Sequence, residues 1–164
     1  MLTICRLSSE REELRIVDDQ TGAPTWSRAI ARATVEILHR EWSRQQRPLF
    51  ADCKGIYHMT ASGQTTWCDF AKAIVDEVRS NPGDPWLAKA TSERPIIAKR
   101  ISPIATTDYP TPVRRPAYSV LLNSRLERTF GVRLPDWRIQ LHAAVQDGDA
   151  TRLQSSEKCQ DPAD

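Results

Sequence analysis

Apolar positions along the chain fall into short blocks separated by polar turns, and their spacing changes from block to block. Leu2, Ile4, Cys5 and Leu7, followed by Ser8, Ser9 and a charge cluster, read as the closing turns of a helix. Leu14, Ile16 and Val17 then form a strand-like run, ended by a polar turn from Asp18 to Gly22. Pro24 and Thr25 introduce a helix over residues 26 to about 42, with Ile30, Ala33, Ile37 and Leu38 on one stripe at helical spacing. The Thr25 hydroxyl is the natural N-cap, since it can accept from the unpaired amides of the first turn.

Residues 45–54, holding Pro48, read as a linker, 55–59 as a compact strand and 60–65 as a loop. Thr66-Trp67-Cys68-Asp69 places an acid three residues after a hydroxyl, a capping box with Asp in place of Glu. The helix that follows is expected to bury Trp67, Phe70, Ala71, Ile74, Val75 and Val78. Two prolines and a glycine over 81–85 end it. Residues 96–104 read as extended, and 106–116 as loop, because Pro110, Pro112 and Pro116 disfavour helix at the residue before each. Asn123 or Ser124 caps a short helix to Phe130, with Gly131 as its stop. Asp136 starts a last amphipathic helix through Trp137, Ile139, Leu141 and Val145, ending near Gly148. Residues 149–164 are polar and aperiodic, and a disordered tail is expected there. The order suggests an α/β lobe over 1–148 with only two or three strands, and two strands bury too little by themselves. The expectation is an incomplete sheet whose other members lie outside this chain.

Composition narrows the partners. A chain of 164 residues, 40% hydrophobic, allows one ordinary domain or one lobe of a larger one. Lys+Arg 23 against Asp+Glu 21 gives +2, too even for a nucleic-acid footprint or a polybasic membrane surface. No apolar run approaches the roughly 20 residues of a membrane span, and Met1 is not followed by a signal pattern, so a cytoplasmic chain without membrane or nucleic-acid partners is expected. Cys5, Cys53, Cys68 and Cys159 are too scattered for a zinc site or a disulfide framework, and no metal site is expected.

The reactive groups of a dinucleotide-dependent enzyme are missing from the sequence. Its six glycines are too widely spaced for G-x-G-x-x-G or a phosphate-binding loop. Tyr57, Tyr109 and Tyr118 are followed four residues later by Ala61, Val113 and Leu122, which excludes a Tyr-x-x-x-Lys acid pair. His39, His58 and His142 have no nucleophile motif beside them.

Five phrases in register carry the positive signal: Asp18-Asp19-Gln20-Thr21-Gly22-Ala23-Pro24-Thr25, Gly55-Ile56-Tyr57-His58, Thr65-Thr66-Trp67-Cys68-Asp69-Phe70-Ala71, Tyr109-Pro110-Thr111-Pro112-Val113-Arg114-Arg115-Pro116, and Leu134-Pro135-Asp136-Trp137. Together they resemble the C-terminal half of the dTDP-4-dehydrorhamnose reductases, extended short-chain dehydrogenase/reductases, over residues 2 to 145. The resemblance implies a C-terminal substrate-binding lobe with an incomplete Rossmann-type sheet. It also implies NADPH (or NADH) reduction of dTDP-4-dehydro-L-rhamnose in dTDP-L-rhamnose synthesis. In that family the first half carries the glycine loop, the Tyr-x-x-x-Lys pair and most sugar contacts. This lobe is therefore expected to bind no cofactor and to be catalytically incompetent alone, with a nucleotide-binding half supplied separately. Some family members hold magnesium at a dimer interface through a glutamate; the matching position here is Arg28.

Candidate dTDP-sugar contacts are Arg115, Arg114, Gln20, Pro24 and Thr25. Gln20 to Thr25 puts a polar turn before a helix N-terminus, where free amides and the helix dipole suit a polar or anionic ligand; a plain strand-to-helix turn is the alternative. Arg114 and Arg115 lie in a loop stiffened by three prolines, which lowers the entropy lost on holding guanidinium groups against a diphosphate. Arg-Arg-Pro segments of related reductases and epimerases contact the substrate pyrophosphate, and Arg115 is the favoured member of the pair; two solvated arginines are the alternative. Trp67, Phe70 and Trp137 could offer aromatic platforms, but their spacing assigns them to the core. Two other functions fit the same residues: a non-catalytic binding or regulatory subunit of this fold, or a truncated reading frame without stable function.

Overall fold

The structure is a computed structural model that describes residues 1–43, 50, 53–109 and 111–147. In chain order the elements are α1 (Leu2–Glu10), β1 (Glu13–Val17), β2 (Thr21–Gly22), α2 (Ser27–Ser43), β3 (Thr65–Thr66), α3 (Trp67–Ser80), α4 (Pro85–Ala90), β4 (Arg100–Ile104), a 3-10 turn (Thr106–Asp108), α5 (Ser124–Phe130) and α6 (Trp137–Asp147). The expected tail over 149–164 and most of the expected linker over 45–54 lie outside the described residues.

β1 and β4 pair in parallel, with Glu13 opposite Arg100 and Val17 opposite Ile104. The Arg100 amide donates to the Glu12 carbonyl and the Asp18 amide to the Ile104 carbonyl. Even-numbered positions of each strand therefore face the partner strand, and odd-numbered ones point outward. On β4 the outward positions include Pro103, which has no amide to offer and marks an edge that ends a sheet. On β1 they are Glu13, Arg15 and Val17, whose amides and carbonyls make no backbone hydrogen bond among the described residues. The two edges are thus unequal, and only the β1 edge can accept a further strand. The fold is accordingly an α/β lobe with a small partial parallel sheet.

A second ribbon forms where a turn was expected. β2 pairs antiparallel with β3, and on its other side the Thr21 amide donates to the Ala117 carbonyl while the Ser119 amide donates to Thr21. Segments distant in sequence take both backbone groups of Thr21, a partnership that no local pattern reveals. Conversely, residues 55–59 do not form the expected strand. Their carbonyl region is held by a side chain, Arg125 donating to the carbonyls of Lys54 and Ile56 and stacking 4.7 Å over the Tyr57 ring. Of the expected extended run over 96–104, only the last five residues are strand; the amides of Ile97 and Ala98 instead converge on the Ser8 carbonyl at the end of α1.

Two apolar clusters fill the interior. Cys5, Ala61, Ile74, Val78, Leu87, Trp137, Leu141 and Val145 form one, bringing α1, α3, α4 and α6 together. Ala33, Ile37, Leu126, Val132 and Leu134 form the other, between α2 and α5. On α2 the expected stripe is narrower than its sequence suggests, since Ile30 and Leu38 are exposed. On α3 the buried stripe is Cys68, Ala71, Ile74, Val75 and Val78, so Cys68 rather than Trp67 leads it. α4 was hidden in the stretch read as a breaker. Asp84 accepts from the Leu87 amide at 2.8 Å, Pro85 takes the first helical position, where its missing amide costs nothing, and Leu87 is buried.

Helix ends follow the sequence more closely. Thr66 accepts from the Asp69 amide at 3.1 Å, but the Asp69 carboxylate goes to Lys72 rather than back across the box. Gly131 closes α5 in the left-handed region at φ 64, a conformation a Cβ would strain. Asp136 accepts from the Arg138 amide at the start of α6. Within that helix Trp137 is 2% exposed, as its expected place in the core requires, whereas Ile139 is 61% exposed on the solvent face. Trp137→Ala should therefore destabilise the lobe by about 3–5 kcal/mol, and Ile139→Ala by no more than about 0.5 kcal/mol. Urea unfolding of both variants checks this; equal losses would contradict the packing described.

Candidate substrate cleft

Because β1 and β4 are parallel, their C-terminal ends emerge side by side, and side chains from the following residues knit them together. Asp19 accepts from the Thr106 amide at 2.9 Å and from its hydroxyl at 2.5 Å. Gln20, 8% exposed, donates to the same Thr106 hydroxyl at 2.9 Å. Thr66, the cap of α3, donates to Asp18 at 2.5 Å and ties the start of that helix to the same end of the sheet. The hydrogen bonds from Thr106 hold the exposed Asp19 carboxyl below the usual carboxylate range.

Beside this junction lies a cleft of about 720 Å³. Its inner part runs along the open edge of β1 and is walled by Thr3, Ile4 and Leu7 of α1 with Leu14 and Ile16. Its outer part, at the strand ends, gathers Gln20, Trp67, Asp108, Tyr109, Thr111 and Arg115. In open α/β sheets this is where ligands sit, outside the carboxyl ends of the strands. Arg11 and Arg15 add cations, and Glu13 an anion, towards the inner part.

The sequence candidates separate here. Gln20 and Arg115 line the cleft; Arg114 and Pro24 do not. Thr25 also lies elsewhere, and it is not the cap of α2. Its hydroxyl accepts from the Ala61 amide and donates to the Ala23 carbonyl, both at 2.9 Å. The helix starts one residue later, with the amides of Ala29 and Ile30 on the Trp26 carbonyl and the Trp26 amide on the buried Gln140 side chain. Trp67 departs from expectation in the other direction: it is 47% exposed and lines the cleft instead of the core. Phe70 is packed against the core, and Trp137 is inside it, as expected.

Tyr109 and Thr111 belong to the same phrase as Arg115 but were not singled out, and Asp108, just before that phrase, had no motif of its own. Burial pushes the thiols of Cys5 and Cys68 up, which keeps them protonated and unreactive. Among the described residues no cluster of His, Cys, Asp or Glu is built to hold a metal, and no helix is long and apolar enough to cross a membrane.

Comparison with known proteins matches residues 1–149 to the RmlD substrate binding domain. The chain belongs to that family. It is 46% identical over 145 residues to a dTDP-4-dehydrorhamnose reductase of Burkholderia thailandensis, covering 88% of this chain and 45% of that protein. A crystal structure of a dTDP-4-dehydrorhamnose reductase from Clostridium acetobutylicum superposes with a TM-score of 0.63 at 28% identity, over 88% of this chain and 41% of that one. A second, from Bacillus anthracis in complex with NADP, has a TM-score of 0.60 at 23% identity and supports the fold. The chain thus spans less than half the length of the relatives it matches.

The junction at the strand ends should respond to acid in a defined direction. A carboxyl whose folded pKa is depressed contributes stability that is present above its unfolded value, about 3.9, and lost as pH falls through the lower folded one. Asp19 should therefore titrate below about 3.9, and the Thr106 amide resonance should move with it. A pH series followed by NMR checks this; an Asp19 titrating at or above the usual value would remove the junction.

Proposed function

We propose that this chain is the substrate-binding half of a dTDP-4-dehydrorhamnose reductase, the enzyme that reduces dTDP-4-dehydro-L-rhamnose to dTDP-L-rhamnose with NADPH (or NADH). The observation that carries the reading is the cleft at the strand ends, where Arg115 and Gln20 meet two aromatic side chains beside an unpaired sheet edge. Arg115 is assigned to the pyrophosphate of the dTDP-sugar, because a guanidinium offers a planar fork of donors that matches phosphate oxygens. Arg114, outside the cleft, is a solvated neighbour. Gln20, anchored by Thr106, presents a polar edge to the sugar end of the ligand. Pro24 and Thr25 shape the turn without touching the ligand, Thr25 by fastening residue 61.

The partner is a nucleotide-binding half that adds its sheet to the open edge of β1. That edge offers the amides and carbonyls of Glu13, Arg15 and Val17, and the inner cleft is lined by the half-buried Ile4, Leu7 and Ile16, an apolar surface suited to a packed neighbour. Cofactor and proton chemistry belong to that half. The glycine loop and the Tyr-x-x-x-Lys pair have no counterpart among the residues of this chain. Place of action is the cytoplasm, where nucleotide sugars are built.

Two outcomes follow. The chain by itself should neither bind NADPH nor reduce dTDP-4-dehydrorhamnose; calorimetry showing micromolar NADPH binding would contradict the division of labour. Arg115→Ala should weaken dTDP binding by roughly 10- to 150-fold, the value of charge-assisted bonds worth about 1.5–3 kcal/mol. Arg115→Lys should recover part of it and Arg94→Ala, on an exposed loop outside the cleft, should change little. Titration with dTDP decides: a large loss in Arg114→Ala with none in Arg115→Ala would move the role to the neighbour.

A further inference from the structure

We propose that Trp67 is the surface on which the base of the bound nucleotide stacks. The inference rests on the reading of the cleft as a dTDP-sugar site and adds to it a residue that spacing alone assigned to the core.

Trp67 is the first residue of α3 and is nearly half exposed, while the stripe behind it, from Cys68 to Val78, is buried. Leaving so large an apolar side chain in water forgoes the favourable burial that an inward turn would bring. The ring is also held in place. It meets Phe70 edge-on, with centroids 6.4 Å apart and planes at 62°, and Phe70 in turn meets the buried Trp137 at 5.8 Å and 76°. Such edge contacts restrict the indole without requiring that it be covered. Its backbone is equally fixed, because Thr66 caps the helix and is hydrogen-bonded to Asp18 at the end of β1.

A rigid aromatic surface in a cleft that is also lined by a guanidinium matches the two chemically distinct parts of a nucleoside diphosphate. The heterocycle stacks on the ring, and Arg115 takes the phosphates. An aromatic held in advance loses little conformational entropy when the base arrives, so the stacking energy appears almost whole in the affinity. Tyr109, on the proline-punctuated loop and 58% exposed, lacks a comparable anchor; its amide N–H donates to the Thr106 carbonyl, which fixes the backbone and leaves the ring unsupported.

The test titrates the full chain with dTDP and, separately, with inorganic pyrophosphate. The indole N–H resonance of Trp67, assigned by its loss in Trp67→Phe, should shift with dTDP and stay in place with pyrophosphate. Trp67→Leu should weaken dTDP by about 5- to 150-fold, the range measured for removing an aromatic under a base. Trp67→Phe should restore most of that, and neither variant should alter pyrophosphate affinity, which Arg115→Ala should lower. Undiminished dTDP binding in Trp67→Leu, with a loss in Arg115→Ala, would overturn the stacking role and leave the nucleotide reading standing. Failure of the unaltered chain to bind dTDP at millimolar concentration would overturn both.

Discussion

The parallel pairing of β1 with β4 is the constraint on which the rest of the molecule depends. Parallel strands cannot be joined by a hairpin, so the chain must cross from the end of β1 back to the start of β4. That crossover contains β2, α2, β3, α3 and α4, most of the lobe's interior. The same constraint brings both strands out at one end. Asp19 and Gln20 can reach Thr106 only for that reason, and the loop with Tyr109 and Arg115 opens beside Trp67 only because β4 leads into it. An antiparallel partner for β1 would send that loop to the opposite end and leave no cleft.

Away from the small sheet, side chains do the work that a longer ladder would do. Asn123 brackets Thr60, donating to its carbonyl at 2.8 Å and accepting from its amide at 3.2 Å. Arg125 supports the carbonyls of residues 54 and 56. The buried Gln140 accepts from the Trp26 amide and donates to the Pro135 carbonyl, locking α6 to the start of α2. Each bond is worth only about 1 kcal/mol net. These anchors explain how a chain so rich in irregular segments keeps a defined cleft with a two-stranded sheet.

The inequality of the two sheet edges gives the lobe a direction. Pro103 removes a donor from the outward side of β4, whereas β1 keeps its full complement. Ligand cleft and open edge adjoin, so a neighbouring half docked on β1 would also wall the site.

What the sequence determined by itself is local or compositional. Helix ends were legible because capping chemistry is short-range, as at Thr66, Asp136 and Gly131, and the buried stripes of α3 and α6 were legible to within a residue through their periodicity. Arg115 and Gln20 were legible as candidates through phrases in register, and both line the cleft. Tertiary structure decided what depends on partners far along the chain. Thr21 is strand because residues 65 and 66 pair with β2 and residues 117 and 119 take its backbone groups, the carbonyls of residues 54 and 56 are met by Arg125 instead of a strand, and Thr25 serves Ala61 rather than its own helix. Trp67 shows the reason most plainly: at a helix's first turn, one step of rotation separates core from cleft, and periodicity cannot resolve that step. Only the packing of Cys68 inward turned the indole towards the strand ends.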